Sequence, residues 1–321
     1  MKEETDKEKK VNFFVVGEPK CGTTVLSRYF REHPEVEVSA KKEPHFFCTD
    51  ILRESDKLHK DAVFFPIRAY ENYNKLWSWN HEKLRGEFSP DYLFSKEAAE
   101  NIYNYNPDAK IVAIFRGPVS FLKSWHKQCL KNGSEKPITL KESLKREDSR
   151  KKAPPKCPNY PQKLYYSDWV KYAEQLQRYL NVFPKEQIKV IFFEDLKQDN
   201  QKVMNELCDF FGVKRIKITK KEVNVRKDAI SPKLFHYIIN PPLIKGPAQR
   251  KLPSRVKSKI CRVAKKILLK ESKREPVSPE LRKELMKKYK PEVVKLNKLL
   301  HKHGLIEKDK DLLKLWEYEG V

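Results

Sequence analysis

The segment 11–24 constrains the fold more than any other part of the chain. It reads VNFFVVGEPKCGTT, an apolar run that leads into a loop bounded by Gly17 and Gly22. A helical pattern with one apolar face follows at 24–33. When a strand is followed by a glycine loop and then by the first turn of a helix, backbone N–H groups and the positive end of the helix dipole point at a phosphate. The sequence therefore predicts a phosphate-binding loop here.

The loop differs from the P-loop of nucleotide hydrolases in the position of its cation. That motif reads G-x-x-x-x-G-K-[ST], with the lysine directly after the second glycine. Gly17 and Gly22 have the same spacing, but Thr23 and Thr24 follow, and the lysine stands inside the loop at Lys20. The loop is thus predicted to be P-loop-like, with a differently placed cation.

A second difference concerns the end of another predicted strand, 110–115. P-loop NTPases carry an aspartate there that helps to hold magnesium, whereas this chain has Arg116. A guanidinium does not bind a metal ion, and its planar fork suits a phosphate. The sequence disfavours metal-dependent phosphoryl transfer, predicts no metal site and favours a second phosphate at Arg116.

Short apolar runs alternate with helical patterns along much of the chain. Strands are predicted at 13–17, 110–115 and 189–193, and helices at 24–33, 119–130, 167–182, 201–211 and 278–300. This alternation predicts an α/β fold with a doubly wound, mostly parallel central sheet and helices on both faces. Ligands are expected at the carboxyl ends of its strands.

The predicted organisation is a charged N-terminal tail, 1–10, followed by a single α/β domain, 11–321. A Pro-, Lys- and Ser-rich stretch, 132–161, is expected to form a partly helical surface insertion. The tail lacks the apolar core of a secretory signal, and no run reaches the length of a membrane span. Six scattered cysteines favour reduced thiols, so a cytoplasmic location is expected.

The formal net charge of +24 is concentrated in the basic segment 214–274, which has 20 Lys and Arg against three acidic residues. Such an excess favours an anionic partner, although a solvated lysine-rich surface accounts for it equally well. Within it, 254–269 reads as a basic amphipathic helix. That helix would either pack on the domain or make peripheral contact with an anionic membrane at its inner face. Nucleic acid is not expected as a partner.

Four short motifs then occur in one order along the chain. They are GEPKCGTT at 17–24, KEPHFF at 42–47, EFSPDY at 87–92, and RGP at 116–118 with a serine at 124. Together they resemble the PAPS-dependent sulfotransferases, particularly the carbohydrate and heparan-sulfate-type branch and its microbial relatives. The resemblance covers most of the chain. One departure is Phe88, where that family commonly has lysine.

The resemblance implies an enzyme that moves a sulfuryl group from PAPS to an acceptor hydroxyl or amine, without a metal. In this family the loop holds the 5′-phosphosulfate and a later Arg–Ser pair holds the 3′-phosphate. The residues so implied for cofactor binding are Lys20, Cys21, Gly22, Thr23, Thr24, Arg116, Ser124 and Arg226. Lys20 would also stabilise the charge that develops on the leaving oxygen.

The family has a carboxylate general base at the position of Glu43, so the resemblance implies that Glu43 is the base here. Two neighbouring lysines would favour its ionised form. His45 is the rival base, but it would equally serve as a packed, hydrogen-bonded residue. The animal Golgi enzymes have a membrane anchor and a late cysteine pair that this chain lacks, which favours a soluble microbial-type enzyme. The expected acceptor is a glycan or glycolipid. A P-loop nucleotide kinase or hydrolase, or a non-catalytic polyanion-binding module, remains the alternative.

Overall fold

A computed structural model describes residues 10–60, 63–79, 83–155, 157–218, 227–229, 269–271 and 277–320. The chain divides into two compact units, one of 1–121, 168–220 and 283–321, the other of 122–167 and 221–282. The expectation of a single domain stays a prediction. Most of the predicted N-terminal tail, most of the basic segment with its amphipathic helix, and Arg226 lie outside the described residues.

The first unit is built on a five-stranded sheet whose strands all run parallel. The strands are β1 (Phe13–Gly17), β2 (Val36–Val38), β3 (Leu84–Phe88), β4 (Lys110–Phe115) and β5 (Ile188–Phe192). Their order across the sheet is β2-β3-β1-β4-β5. In the second unit β6 (Lys227–Ala229) pairs antiparallel with β7 (Leu269–Glu271).

The helices of the described residues follow in chain order. They are α1 (Thr23–Arg31), α2 (Thr49–Leu58), α3 (Tyr70–Asn74), α4 (Asp91–Phe94), α5 (Ala98–Tyr105), α6 (Pro118–Lys131), α7 (Leu140–Lys145), α8 (Glu147–Lys152), α9 (Tyr166–Trp169), α10 (Tyr172–Leu180), α11 (Phe193–Gln198), α12 (Asn200–Phe211), α13 (Pro279–Lys302) and α14 (Leu312–Leu315). The predicted α/β fold with a parallel sheet is confirmed. None of the described helices is long and apolar enough to cross a bilayer.

The core of the first unit lies on both sides of β1. All five residues of this strand are buried, as its continuous apolar sequence requires when both faces of a parallel sheet are covered. Phe13 stacks on Phe211 of α12 with ring centroids 4.0 Å apart, and Phe14 meets Phe47 edge to face at 5.5 Å. The apolar face of α1 is buried, as the helical pattern at 24–33 predicts, and Phe211 of α12 is buried whereas its neighbour Phe210 is half-buried.

Three differences from the sequence prediction concern strands and helix breaks. The strands β2 and β3 were not predicted, because β2 has three residues and β3 carries buried Arg85 and Glu87 in place of an apolar run. The predicted helix 167–182 is broken between α9 and α10. The Gln175 side chain donates to the carbonyl oxygens at the end of α9, and these bonds satisfy groups that a continuous helix would pair internally.

The strand order places a topological switch point at β1. After β1 the chain adds β2 and β3 on one side of it, then crosses to add β4 and β5 on the other. The loops after β1 and β4 therefore leave the same end of the sheet in opposite directions, where open α/β sheets bind ligands. The register pairs Gly17 with Ile114, so Arg116 stands two residues beyond the point at which β1 ends.

Candidate functional site

The loop after β1 is shaped by residues with left-handed backbone. Gly17 has φ +143°, and a Cβ there would lie 2.5 Å from the Ile114 carbonyl oxygen, so the strand end admits only glycine. Gly22 has φ +97° and forms the N-cap of α1. Between them Lys20 has φ +70°, which a residue with a side chain rarely adopts. The loop is therefore a tight turn in which the lysine backbone is strained.

The helix that follows the loop has an N-terminus suited to an anion. No side chain caps α1, so its first-turn N–H groups keep their capacity for an outside acceptor. Lys20 and Thr24 are exposed beside it and Thr23 is buried. Cys21 is fully buried, its Sγ donates to the Pro19 carbonyl oxygen, and burial raises the pKa of its thiol well above the ordinary value. Cys21 can therefore serve the site through its backbone N–H.

Arg116 lies against this loop. Its Nη1 donates to the Lys20 carbonyl oxygen at 3.0 Å, and its Nε donates to Ser120 Oγ at 2.6 Å. Its guanidinium carbon stands 4.3 Å from the centroid of the Phe193 ring, a cation–π contact. The structure thus brings the cation after β4 to the loop after β1, as the sequence implied.

The hydroxyl that contacts Arg116 is that of Ser120, which sequence reasoning missed. It stands four residues after the arginine, in the first turn of α6, and this i, i+4 spacing was the available signal. Ser124 lies on α6 in the second unit, and its role in holding a phosphate stays a prediction. The predicted role of Arg226 lies outside the described residues.

The KEPHFF block forms a second strained turn. Glu43 has φ +58° and His45 has φ +62°. The Glu43 carboxylate forms an ion pair with Lys42 and keeps 39% of its side chain exposed. The Glu43 carboxylate therefore has a positive charge beside it and is partly accessible from solvent.

His45 is occupied on both ring nitrogens. Its Nδ1 lies 2.6 Å from the Glu43 carbonyl oxygen, and its Nε2 lies 2.9 Å from Asp91 Oδ2. Because a carbonyl oxygen only accepts, Nδ1 is the donor, and the proton between Nε2 and Asp91 completes the second bond. His45 is also packed on Phe65 with ring centroids 4.7 Å apart. These contacts agree with the packed, hydrogen-bonded alternative for His45.

The EFSPDY segment contacts the KEPHFF block through Asp91, which bonds to His45, and Tyr92, which bonds to the Phe47 N–H. Glu87 is fully buried and accepts from Tyr73 at 2.5 Å and from Ser89 at 2.6 Å. Burial raises its pKa, and these hydrogen bonds act in the opposite direction. Tyr92 is fully buried and accepts from the Phe47 N–H at 3.3 Å. Tyr92 is therefore a core residue.

Glu18 is buried, which the sequence did not indicate. It is fully buried within the loop, and neither carboxyl oxygen has a hydrogen-bond partner among the described residues. Burial raises the pKa of Glu18 well above its ordinary value, and the nearby Asp91 carboxylate raises it further. The loop thus holds a carboxyl group whose burial disfavours the charged form.

No group of three or more His, Cys, Asp or Glu side chains in the described ranges is arranged to hold a metal ion. Metal-independent chemistry remains a prediction from the residues after β1 and β4.

Comparisons with known proteins agree with this architecture. The sulfotransferase domain model matches residues 10–227. The chain is 23% identical over 303 residues to the membrane-associated sulfotransferase kil1 of Dictyostelium discoideum, covering 71% of this chain and 62% of that protein. It is 28% identical over 206 residues to the human bifunctional heparan sulfate N-deacetylase/N-sulfotransferase 3, covering 63% of this chain and 22% of that protein.

A solved structure agrees as well. The sulfotransferase from Alicyclobacillus acidocaldarius superposes with a TM-score of 0.65 at 28% identity, covering 91% of this chain and 96% of that one. The chain spans less than two thirds of the length of the two curated relatives above. The matched region nevertheless covers well over half of this chain and includes both strand-end loops. The protein therefore belongs to the sulfotransferase domain family.

Proposed function

We propose that this protein transfers the sulfuryl group of PAPS to a hydroxyl or amine of a glycan or glycolipid acceptor, without a metal. The observation that carries the proposal is the contact between Arg116 and the loop that contains Lys20. Two cationic groups at the ends of neighbouring strands suit a ligand with two separate phosphates, because each phosphate receives its own positive charge.

The 5′-phosphosulfate is assigned to the loop and the helix start. Lys20 supplies a positive charge, and the N–H groups of Cys21, Gly22, Thr23 and Thr24 supply donors at the uncapped end of α1. As the bond from sulfur to the 5′-phosphate oxygen breaks, negative charge grows on that oxygen, and Lys20 stabilises it.

The 3′-phosphate is assigned to Arg116 together with Ser124. Ser120 accepts from the Arg116 Nε and the Lys20 carbonyl accepts from its Nη1, and these bonds hold the guanidinium beside the loop after β1. A planar guanidinium suits a phosphate. The proposed contribution of Arg226 rests on its position in a basic stretch of sequence.

Glu43 is the proposed general base. Its partly exposed carboxylate accepts the acceptor's proton while the new bond from the acceptor atom to sulfur forms. Both ring nitrogens of His45 already take part in hydrogen bonds, so this histidine has no lone pair for that proton. Its contacts instead favour a role in holding the turn that carries Glu43.

The acceptor class rests on the relatives. The human relative is named for heparan sulfate, and another human relative, 25% identical over 226 residues, is named heparan sulfate glucosamine 3-O-sulfotransferase 3B1. A cytoplasmic location with peripheral contact to an anionic membrane also belongs to the proposal. It rests on the basic segment 214–274 and on the name of the Dictyostelium relative.

The decisive experiment is calorimetric titration with 3′,5′-ADP in the absence of magnesium. Wild type is expected to bind at micromolar concentration, and Arg116→Ala is expected to weaken binding about 10- to 100-fold, the worth of a charge-assisted hydrogen bond. Arg215→Ala is the matched control, since Arg215 is exposed and paired with Asp209. A folded wild type that ignores 3′,5′-ADP and binds ATP with magnesium would overturn the proposal.

A further inference from the structure

The peptide group that joins Arg116 to Gly117 is held by side chains on both of its polar atoms. The Tyr172 hydroxyl donates to the Arg116 carbonyl oxygen at 3.0 Å. The Gly117 N–H donates to Glu194 Oε1 at 3.3 Å. Because a peptide group is planar, these two bonds fix its orientation and thereby the direction in which the Arg116 side chain leaves the backbone.

Trp316 contacts three of these residues, Glu194, Tyr172 and Gly117. Its indole Nε1 donates to Glu194 Oε2 at 3.1 Å, and its ring stands 6.2 Å from that of Tyr172 at an angle of 68°. A Cβ on Gly117 would lie 3.1 Å from Trp316 Cδ1, so the indole fits closely because residue 117 is glycine. Trp316 is only 6% exposed.

The segment that carries this tryptophan is anchored at several points. Leu312, the first residue of α14, is fully buried, and its N–H donates to Asn297 Oδ1 of α13 at 3.1 Å. Lys310 forms an ion pair with Asp195, and its Nζ stands 4.8 Å from the centroid of the Phe192 ring. These contacts anchor the segment that carries Trp316 within the first unit.

We infer that Trp316 is a positioning residue for the 3′-phosphate site and acts through Glu194 on Arg116. The inference rests on the proposed function and deepens it. A carboxylate near a phosphate site repels the ligand unless its charge is directed elsewhere. Here the Glu194 carboxylate is directed at two neutral N–H donors, those of Gly117 and Trp316. Without the indole donor, the Glu194 carboxylate turns to the Arg116 guanidinium, which packs on the ring of Phe193, the residue before Glu194. The carboxylate then competes with the phosphate for that guanidinium.

The test compares two nucleotides on Trp316→Phe, which keeps an aromatic ring against Tyr172 and removes the N–H donor together with part of the indole volume. By calorimetry, 3′,5′-ADP is expected to bind about 5- to 20-fold more weakly, the loss expected for one hydrogen bond to a charged group. Adenosine 5′-phosphate, which lacks the 3′-phosphate, is expected to change less than about 2-fold. A loss of general stability would weaken both ligands equally.

Two further variants separate this mechanism from a structural one. In the Trp316→Phe background, Glu194→Gln removes the competing charge, so the double variant is expected to recover most of the 3′,5′-ADP affinity. Trp79→Phe is the matched control. That indole donates to the Asn74 carbonyl oxygen at 2.8 Å near the start of β3, at the opposite end of the sheet. It is expected to leave both affinities unchanged.

Several outcomes would overturn the inference. They are unchanged 3′,5′-ADP binding by Trp316→Phe, an equal loss for both nucleotides, and no recovery in the double variant. Failure of wild type to bind 3′,5′-ADP would overturn the proposed function itself, and so is distinguishable from failure of the role assigned to Trp316.

Discussion

Three residues at the candidate site keep backbone conformations that disfavour any side chain with a Cβ. They are Lys20, Glu43 and His45, with φ of 70°, 58° and 62°. Each such residue costs about 1–3 kcal/mol and persists only where surrounding contacts hold it. The contacts are visible: Arg116 holds the Lys20 carbonyl, and His45 holds the Glu43 carbonyl. The strain falls on Lys20 and Glu43, to which the proposed chemistry is assigned, and on His45, which holds the turn that carries Glu43.

Replacement of the proposed base tests that assignment. Glu43→Gln is expected to lower kcat about 10²- to 10⁴-fold, because the amide cannot take the acceptor's proton. Affinity for 3′,5′-ADP should stay within about 2-fold, since the amide removes no contact assigned to the nucleotide. The measurement is sulfate transfer from labelled PAPS to a panel of glycan acceptors. Glu206→Gln, at a partly exposed ion pair with Lys189 away from the proposed site, is the control. Full activity of Glu43→Gln would remove this residue from the mechanism.

The buried carboxyl of Glu18 predicts a pH dependence of stability. Burial raises its pKa in the folded state, so the folded protein binds a proton that the unfolded chain releases above about pH 4.5. Stability from this group is therefore highest below that pH and falls as the pH rises. Glu18→Gln removes this slope and is expected to raise Tm at pH 7.5 by about 2–4 °C.

Thermal unfolding of wild type and Glu18→Gln between pH 4.5 and 8 checks this. The difference in Tm between the two proteins should widen with pH, whereas the partly exposed control Glu206→Gln should follow wild type throughout. A constant gap would show that Glu18 does not titrate differently on folding.

Among the elements, continuous apolar strands were predictable and mixed ones were not. Both β1 and β4 were predicted to the residue, because a strand buried on two faces leaves an unbroken apolar run. In β3 the buried positions include Arg85, which donates to the Lys10 carbonyl, and Glu87, which accepts from Tyr73. Their partners lie on distant segments, so nothing local in the sequence marks these charged residues as interior.

The candidate site shows the same division. Lys20 and Arg116 were recognisable because each follows a readable strand. Ser120 was missed although its spacing from Arg116 was a readable signal. Trp316 could not be recognised, because its contacts join segments about 200 residues apart in the chain. The spacing within a motif identifies residues that are close in sequence, whereas the residues that hold a site in place can come from distant segments that the fold brings together.

The junction between β1 and its loop predicts a contrast between two glycines. Gly17→Ala would place a Cβ 2.5 Å from the Ile114 backbone oxygen, whereas Gly304→Ala, also at positive φ, meets nothing within 4 Å. The second change should cost about 1–2 kcal/mol from backbone conformation alone. The first should cost at least about 3 kcal/mol, since a backbone clash is added.

Urea unfolding of both variants gives the difference directly. Equal losses would mean that β4 can move away from β1 and that the loop is less constrained than its backbone indicates. Soluble but unfolded Gly17→Ala, with a folded Gly304→Ala, would agree with the prediction.

At the scale of the whole molecule, charge opposes compactness. The net charge of +24 makes the folded state repel itself at low ionic strength. Raising sodium chloride from 0.02 to 0.2 M shortens the screening length to below about 10 Å and relieves this repulsion. Tm is expected to rise by about 2–4 °C, the shift that roughly 1 kcal/mol produces in a protein of this size.

Differential scanning fluorimetry in chloride alone is the measurement, because sulfate or phosphate would also occupy the proposed phosphate sites. A Tm that falls with chloride would show that favourable ion pairs outweigh the net repulsion.

The hydrogen bond from Arg116 to the Lys20 carbonyl joins two loops that lie on either side of the switch point. Under the proposed function, a nucleotide held by one loop would present its other phosphate to the second loop at a high effective concentration, about millimolar or above. The two ends of such a ligand would bind as a chelate, with a combined affinity above what either phosphate achieves alone. The proposed bisphosphate product would then leave only after both of its ends are released, so we expect product departure to limit turnover.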